Sequence, residues 1–183
     1  MKQRNLPTWN KIHTLIFDFD GVFTDNKVFI NQEGLESVQC SRADSLGLDI
    51  LKRFIKKKNW PLDFFILSTE SNPVVLSRAK KLKIHCEYGI KNKLDFIKKY
   101  LETKFPESVY KKEGIIYLGN DLNDLKVMEY VGTSVAPIDA HDLIKNKADI
   151  VLNSKGGHGF VRDFIEILIS RNNIEKNELL DLI

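Results

Sequence analysis

Cysteine is scarce in this 183-residue sequence, with only two, and so is proline, with five. Two thiols, Cys40 and Cys86, are too few for a disulfide framework and too far apart for a metal knuckle, so both read as buried or incidental. No apolar run approaches the ~18 residues needed to cross a bilayer, and the opening MKQRNLPTWNK lacks the apolar core of a secretory signal. The expectation is a soluble, cytoplasmic chain with no membrane partner. An excess of one charge is also missing: 28 basic and 25 acidic residues leave +3, spread without a basic block, which argues against nucleic acid as a partner. Internal repeats and low-complexity segments are absent.

Apolar residues make up 43% of the chain, enough for one sizeable core, and one domain is expected over residues 1–183. Short apolar runs recur at 12–17, 62–67, 84–87, 114–118, 133–135 and 149–152. Segments with helical spacing lie between and around them, at 43–58, 72–83, 90–103, 121–131, 140–146 and 158–171. Because each parallel crossover needs a helix-sized connection, the alternation predicts an α/β fold, a parallel sheet with helices on both faces. One insertion breaks the rhythm. Residues 27–30 and 36–40 flank Asn31-Gln32-Glu33-Gly34 and read as a projecting β-hairpin. Residues 172–183 are polar and then amphipathic, as in a tail or an interaction segment.

Ligands of an open parallel sheet bind outside the carboxyl ends of its strands, so the polar residues following each run matter most. Four ends stand out: Asp18-Phe-Asp20-Gly21-Val-Phe-Thr24-Asp25, Ser68-Thr69-Glu70, Lys91-Asn-Lys93, and Gly119-Asn120-Asp121-Leu-Asn123-Asp124. Two aspartates two residues apart at a strand end crowd like charges, which a hard divalent cation relieves. Mg²⁺ suits such a place, since it takes oxygen ligands and keeps several waters. Gly21 permits a tight turn, and Thr24-Asp25 would lock it with side-chain hydrogen bonds. A phosphomonoester entering here needs cations and donors around the phosphoryl group, which Lys93, the Ser68 hydroxyl and the helix start near Asn72-Pro73 would supply. Asp18 would then attack phosphorus, while Asp20 protonates the leaving alcohol and later deprotonates the hydrolytic water.

FDFDGVFTD resembles the signature of the haloacid dehalogenase (HAD) superfamily, an apolar strand followed by D-x-D-G-x-x-T-D, and matches it at every signature position. The resemblance implies a HAD-like Rossmannoid sheet with Asp18 as nucleophile, Asp20 as acid/base, Ser68 as phosphate-binding hydroxyl and Lys93 as stabilising lysine. It makes GNDLND the acidic metal motif, so that Asp18, Asp20, Asn120 and Asp121 hold Mg²⁺. Here Asn120 stands where a carboxylate is common, so the ligand role could pass to Asp121. Asp124 would orient Lys93 or a metal-bound water. The short intervals between Asp18, Ser68 and Lys93 leave no room for a cap domain. This resembles the capless group of 3-deoxy-D-manno-octulosonate 8-phosphate phosphatases and acylneuraminate (KDN) 9-phosphate phosphatases. KGGHGFVRDFIE resembles that group's glycine-rich segment and last helix, which extends the likeness over about residues 12–170. The group closes its sites by forming homotetramers through the projecting hairpin, which is carried here to residues 27–40.

The second motif bears on the substrate. Octulosonate enzymes usually read T-G-R there, whereas this chain reads Ser68-Thr69-Glu70, followed by a helix with Arg78 and Lys81 on one face. Thr69, Glu70, Arg78 and Lys81 resemble the substrate-recognising set of the nine-carbon acid phosphatases, with the two cations on the carboxylate. A nonulosonate 9-phosphate is therefore the first expectation and 3-deoxy-D-manno-octulosonate 8-phosphate the alternative. The S-T-E-x-N-P-V-V pattern is also similar to the phosphatase-like domain of some acylneuraminate cytidylyltransferases. That likeness keeps open a non-catalytic assembly domain.

Overall fold

A computed structural model describes residues 6–106 and 111–171. The amphipathic segment at 172–183 lies outside the described residues. Strands β1 (Thr14–Phe17), β4 (Asp63–Leu67), β5 (His85–Glu87), β6 (Ile115–Leu118), β7 (Thr133–Pro137) and β8 (Ile150–Leu152) form one six-stranded sheet, in the order β5-β4-β1-β6-β7-β8. Every pairing in it is parallel. The connections are α1 (Arg42–Lys58), α2 (Val74–Leu82), α3 (Lys93–Lys104), α4 (Leu125–Tyr130) and α5 (Asp142–Lys147), and α6 (Phe160–Ser170) follows the last strand.

Side chains alternate across a strand, and the two faces of this sheet bury separate cores. Leu15 and Phe17 of β1, with Ile66, Ile116 and Leu118, meet α1, α2 and α6 through Leu48, Leu51, Phe54, Val75, Ala79, Phe164 and Leu168. Ile16, Phe65, Leu67, Ile115 and Tyr117 meet α3, α4 and α5 through Ile97, Leu101, Val127, Met128 and Ile144. Because β1 and β6 are buried on both sides, their sequences are continuously apolar.

Local chemistry sets the helix ends. Ser41 accepts from Ala43 N at the start of α1, and Asn59 closes it in the left-handed region, with φ 48°. Asp44 of α1 reaches across to accept from Arg162 N (3.0 Å), so one helix's carboxylate caps the first turn of α6. Two sequence-derived helices need correction. The one drawn over 90–103 begins three residues later, because Asn92 turns its side chain onto Asp95 N as N-cap, which leaves Lys93 as the first helical residue. The one drawn over 121–131 is a 3-10 turn at Leu122–Asp124 followed by α4, because the Asp121 and Asp124 carboxylates bond the backbone there.

Between β1 and α1 the chain makes the hairpin, β2 (Phe29–Ile30) and β3 (Glu36–Ser37), paired antiparallel. Asn31 Oδ1 accepts from Glu33 N and Leu35 N at its tip. Next to the tip, Asn72 Nδ2 donates to Glu36 Oε2 (3.0 Å), tying the hairpin to the start of α2. Among the described residues, the segment from Asp18 to Ser68 holds only this hairpin, α1 and β4, and that from Ser68 to Lys93 only α2 and β5, with no inserted cap. No helix among them is long and apolar enough to cross a membrane.

Candidate active site

Asp18 continues β1 beyond the sheet: its N–H still donates to Leu118 O (2.9 Å), and its Oδ1 then accepts from Phe19 N (2.7 Å). The chain turns at Gly21, whose φ of 71° suits glycine. A Cβ there would collide with the Asn120 side chain, so the metal-motif asparagine seats directly on this turn. Thr24 Oγ1 accepts from Gly21 N and Asn26 N, both 3.2 Å, and closes the loop as the sequence predicts. No side-chain bond from Asp25 to this turn accompanies it; Asp25 pairs loosely with Lys27 at 3.8 Å. Behind the turn lies the glycine-rich segment, where Gly157 N donates to Val22 O (3.1 Å).

At the carboxyl edge of the sheet a cavity of about 310 Å³ is lined by Asp18, Asp20, Asn26, Thr69, Glu70, Asn120, Asp121 and Asn123. Its floor is a buried ion-pair chain. Lys93 Nζ lies 2.8 Å from Asp18 Oδ1 and 2.7 Å from Asp124 Oδ1, with all three side chains almost wholly buried. Asp124 Oδ2 accepts from Asn120 N (2.9 Å), so the same carboxylate fixes both the lysine and the metal-motif loop. Tyr117 Oη donates to Asp124 Oδ1 at 2.6 Å.

Burial and the neighbouring Asp124 carboxylate push Asp18 up, against the opposing pull of Lys93. Asp20 is raised by burial and then by Glu70, with Lys93 and Thr24 pulling the other way. For Lys93 burial acts downward, but the Asp18 and Asp124 carboxylates outweigh it and the group stays charged. Burial and Asp124 raise Tyr117 well above the usual phenol range, so it remains a proton donor.

Most of the residues singled out in the sequence therefore converge. Asp18, Asp20, Thr69, Glu70, Asn120 and Asp121 line one cavity, and Lys93 and Asp124 lie beneath it. Ser68 sits in the same turn, buried, its Oγ accepting from Glu70 N (3.1 Å), which leaves its proton free to donate. Glu70 also accepts from Asn72 N (2.7 Å), and Asn72 Oδ1 from Val74 N (3.0 Å), so part of the helix start is already satisfied by side chains. Arg78 and Lys81 do share a face, but the structure does not bring them to this cavity. They line a separate groove with Val38, Cys40 and Ser45, and Arg78 Nη2 donates to Ser41 O and Ser45 Oγ. Sequence reasoning missed Asn26 and Tyr117, and it placed Asn123 in the metal motif without giving it a role. Only Tyr117 carries a signal, a phenol in an otherwise aliphatic strand.

The donor set fits a hard cation. Among the described residues no three His, Cys, Asp or Glu side chains converge to hold an ion by themselves. With the Asn120 amide as a further donor the cavity offers only oxygens beside Asp18, Asp20 and Asp121, a set suited to an ion that keeps several waters.

Parallel sheet, strand-end Asp-x-Asp pair and buried lysine together fit a phosphomonoester hydrolase of the kind that uses a divalent metal. The chain belongs to the haloacid dehalogenase-like hydrolase family, whose profile matches residues 22–164. It is 33% identical over 159 residues to the 3-deoxy-D-manno-octulosonate 8-phosphate phosphatase of Salmonella typhi, an alignment covering 86% of this chain and 79% of the relative. Among solved structures, a HAD family hydrolase from Streptomyces avermitilis superposes with a TM-score of 0.81 at 37% identity, covering 94% of each chain. The 3-deoxy-D-manno-octulosonate 8-phosphate phosphatase of Moraxella catarrhalis, solved with magnesium, phosphate and KDO, gives a TM-score of 0.78 at 27% identity and 90% coverage of both chains.

Proposed function

We propose that this enzyme hydrolyses the phosphomonoester of a sugar acid with Mg²⁺, through an aspartyl-phosphate on Asp18. The observation that carries the reading is the seating of Asp18: Oδ1 is engaged by Phe19 N and Lys93 Nζ at 2.7 and 2.8 Å, which leaves Oδ2 to attack phosphorus. Asp20, held above the ordinary carboxylate range by burial and Glu70, carries the proton to the leaving alcohol and then takes one from water. Mg²⁺ on Asp18, Asp20, Asn120 and Asp121 would offset the negative charge of the phosphoryl oxygens. Lys93 and the Ser68 hydroxyl orient the same group.

For the sugar acid, the relatives support the eight-carbon 3-deoxy-D-manno-octulosonate 8-phosphate. A second reading, a nine-carbon nonulosonate 9-phosphate, is favoured by Glu70 at the cavity wall in place of the T-G-R pattern. Steady-state turnover of both acids and of p-nitrophenyl phosphate, with Mg²⁺ and alongside Asp18→Asn, tests the proposal. Asp18→Asn should lose at least ~10³-fold in kcat on every substrate, and phosphate release surviving that change would overturn the aspartyl-phosphate route. A selective rise in KM for the nine-carbon acid in Glu70→Gln supports the second reading, whereas equal changes on all three substrates remove Glu70 from recognition. The reading includes a homotetramer whose hairpins, apolar and exposed, close the open cavities of neighbouring copies.

A further inference from the structure

Tyr117 has no part in the chemistry above, yet its phenol stands at the centre of the charged floor. Its neighbours on β6 are Ile115, Ile116 and Leu118, the aliphatic residues usual in a central parallel strand. A hydroxyl buried there needs partners, and it finds two: Oη donates to Asp124 Oδ1 (2.6 Å) and accepts from Lys93 Nζ (3.2 Å). An ammonium group has three N–H donors. Lys93 directs one to Asp18 Oδ1 (2.8 Å) and shares a second between Asp124 Oδ1 (2.7 Å) and Tyr117 Oη (3.2 Å), which lie only 2.6 Å apart, so the third remains for another acceptor. A phosphoryl oxygen therefore accepts the third N–H without displacing either carboxylate, a charge-assisted bond whose direction depends on how the other two are held. With the phosphoryl group bound, Tyr117 keeps its short bond to Asp124, whose other oxygen still holds Asn120 N.

We propose that Tyr117 is a positioning residue for Lys93: its hydroxyl holds Asp124 and shares the second N–H of the ammonium with it, which keeps the third N–H for the phosphoryl group. This rests on the reading that Lys93 serves the phosphoryl group.

Tyr117→Phe removes one oxygen and leaves the ring. On p-nitrophenyl phosphate with Mg²⁺, kcat should fall about tenfold while KM stays within about twofold, as for lost orientation rather than lost binding. Calorimetry with Mg²⁺ supplies a readout besides turnover. Orthovanadate, which mimics five-coordinate phosphorus, should bind about tenfold more weakly to the variant, and inorganic phosphate within about twofold of wild type. In a Lys93→Met background the same change should make no further difference to vanadate affinity. The proposal is overturned by unchanged kcat and vanadate affinity, by equal losses for vanadate and phosphate, or by a full Tyr117→Phe effect without the lysine. Lys93→Met that leaves vanadate affinity intact would instead remove Lys93 from the phosphoryl site. The wild-type protein gives a check that does not depend on a variant folding: the Lys93 ¹⁵Nζ resonance should shift when vanadate is added, and a stationary resonance contradicts a bond from Lys93 to the phosphoryl group.

Discussion

Charge placement in the interior gives individual residues measurable consequences. Lys93 stands between two buried carboxylates, so Lys93→Ala strands both. Removing one partner of such a set costs about 3–5 kcal/mol, and the urea midpoint of the metal-free protein should drop accordingly. Asp44 is a second case, remote from the cavity. Burial lifts it to about 6, against the bonds it accepts from Arg162 N and Val161 N. Because its folded value lies above its unfolded value of 3.8, its contribution to stability is fully present below about pH 4 and is lost as pH rises through 6. The linked free energy is about 3 kcal/mol. Asp44→Asn, which keeps an acceptor for Arg162 N, should lack this loss, so the wild-type minus variant stability measured by urea melts should become less favourable between pH 4 and pH 7. At this scale the sequence was informative about the carboxylates and Lys93, because residue type and strand-end position already specify the chemistry. It was silent on Tyr117, whose role depends on which way a buried phenol points.

Contact between elements decides where those residues stand. α1 and α6 meet so closely at Gly47 that a Cβ there would lie 2.8 Å from the Arg162 backbone. Gly47→Ala should therefore cost about 1–3 kcal/mol as overpacking, read as a lower Tm with cavity chemistry preserved, since neither helix carries a cavity-lining residue. The parallel strands and their helices were legible because an apolar run and a 3.6-residue repeat are local signals. Boundaries at functional turns were less so. Asn92 and the Asp121–Asp124 pair use side chains in place of helical hydrogen bonds, and that choice moved Lys93 to a first helical turn and broke the helix drawn over 121–131. Arg78 and Lys81 share a face as their spacing predicts, and that face turns to α1 and the hairpin base, where Ser41 O and Ser45 Oγ offer Arg78 acceptors.

On the scale of the molecule, an acidic cavity lies open beside an apolar hairpin. Val28, Phe29, Ile30 and Leu35 are each more than 50% exposed, a cluster of the kind that marks a protein contact. Replacing Phe29 and Ile30 by serine should lower the mass seen by sedimentation equilibrium and raise KM; an unchanged mass would leave the hairpin out of assembly. Chelation should abolish turnover, with recovery on adding Mg²⁺, because the cavity-lining carboxylates and amides need a cation before a phosphate can approach. The sequence by itself determined the sheet, its helices and the acid groups at the strand ends, since periodicity and a contiguous nine-residue motif are properties of neighbouring residues. Only the tertiary structure decided that Lys93 bridges Asp18 and Asp124, that Tyr117 sits beneath them, and that Arg78 faces away. Those relations join separate strands and helices, and packing rather than sequence order sets the distances across them.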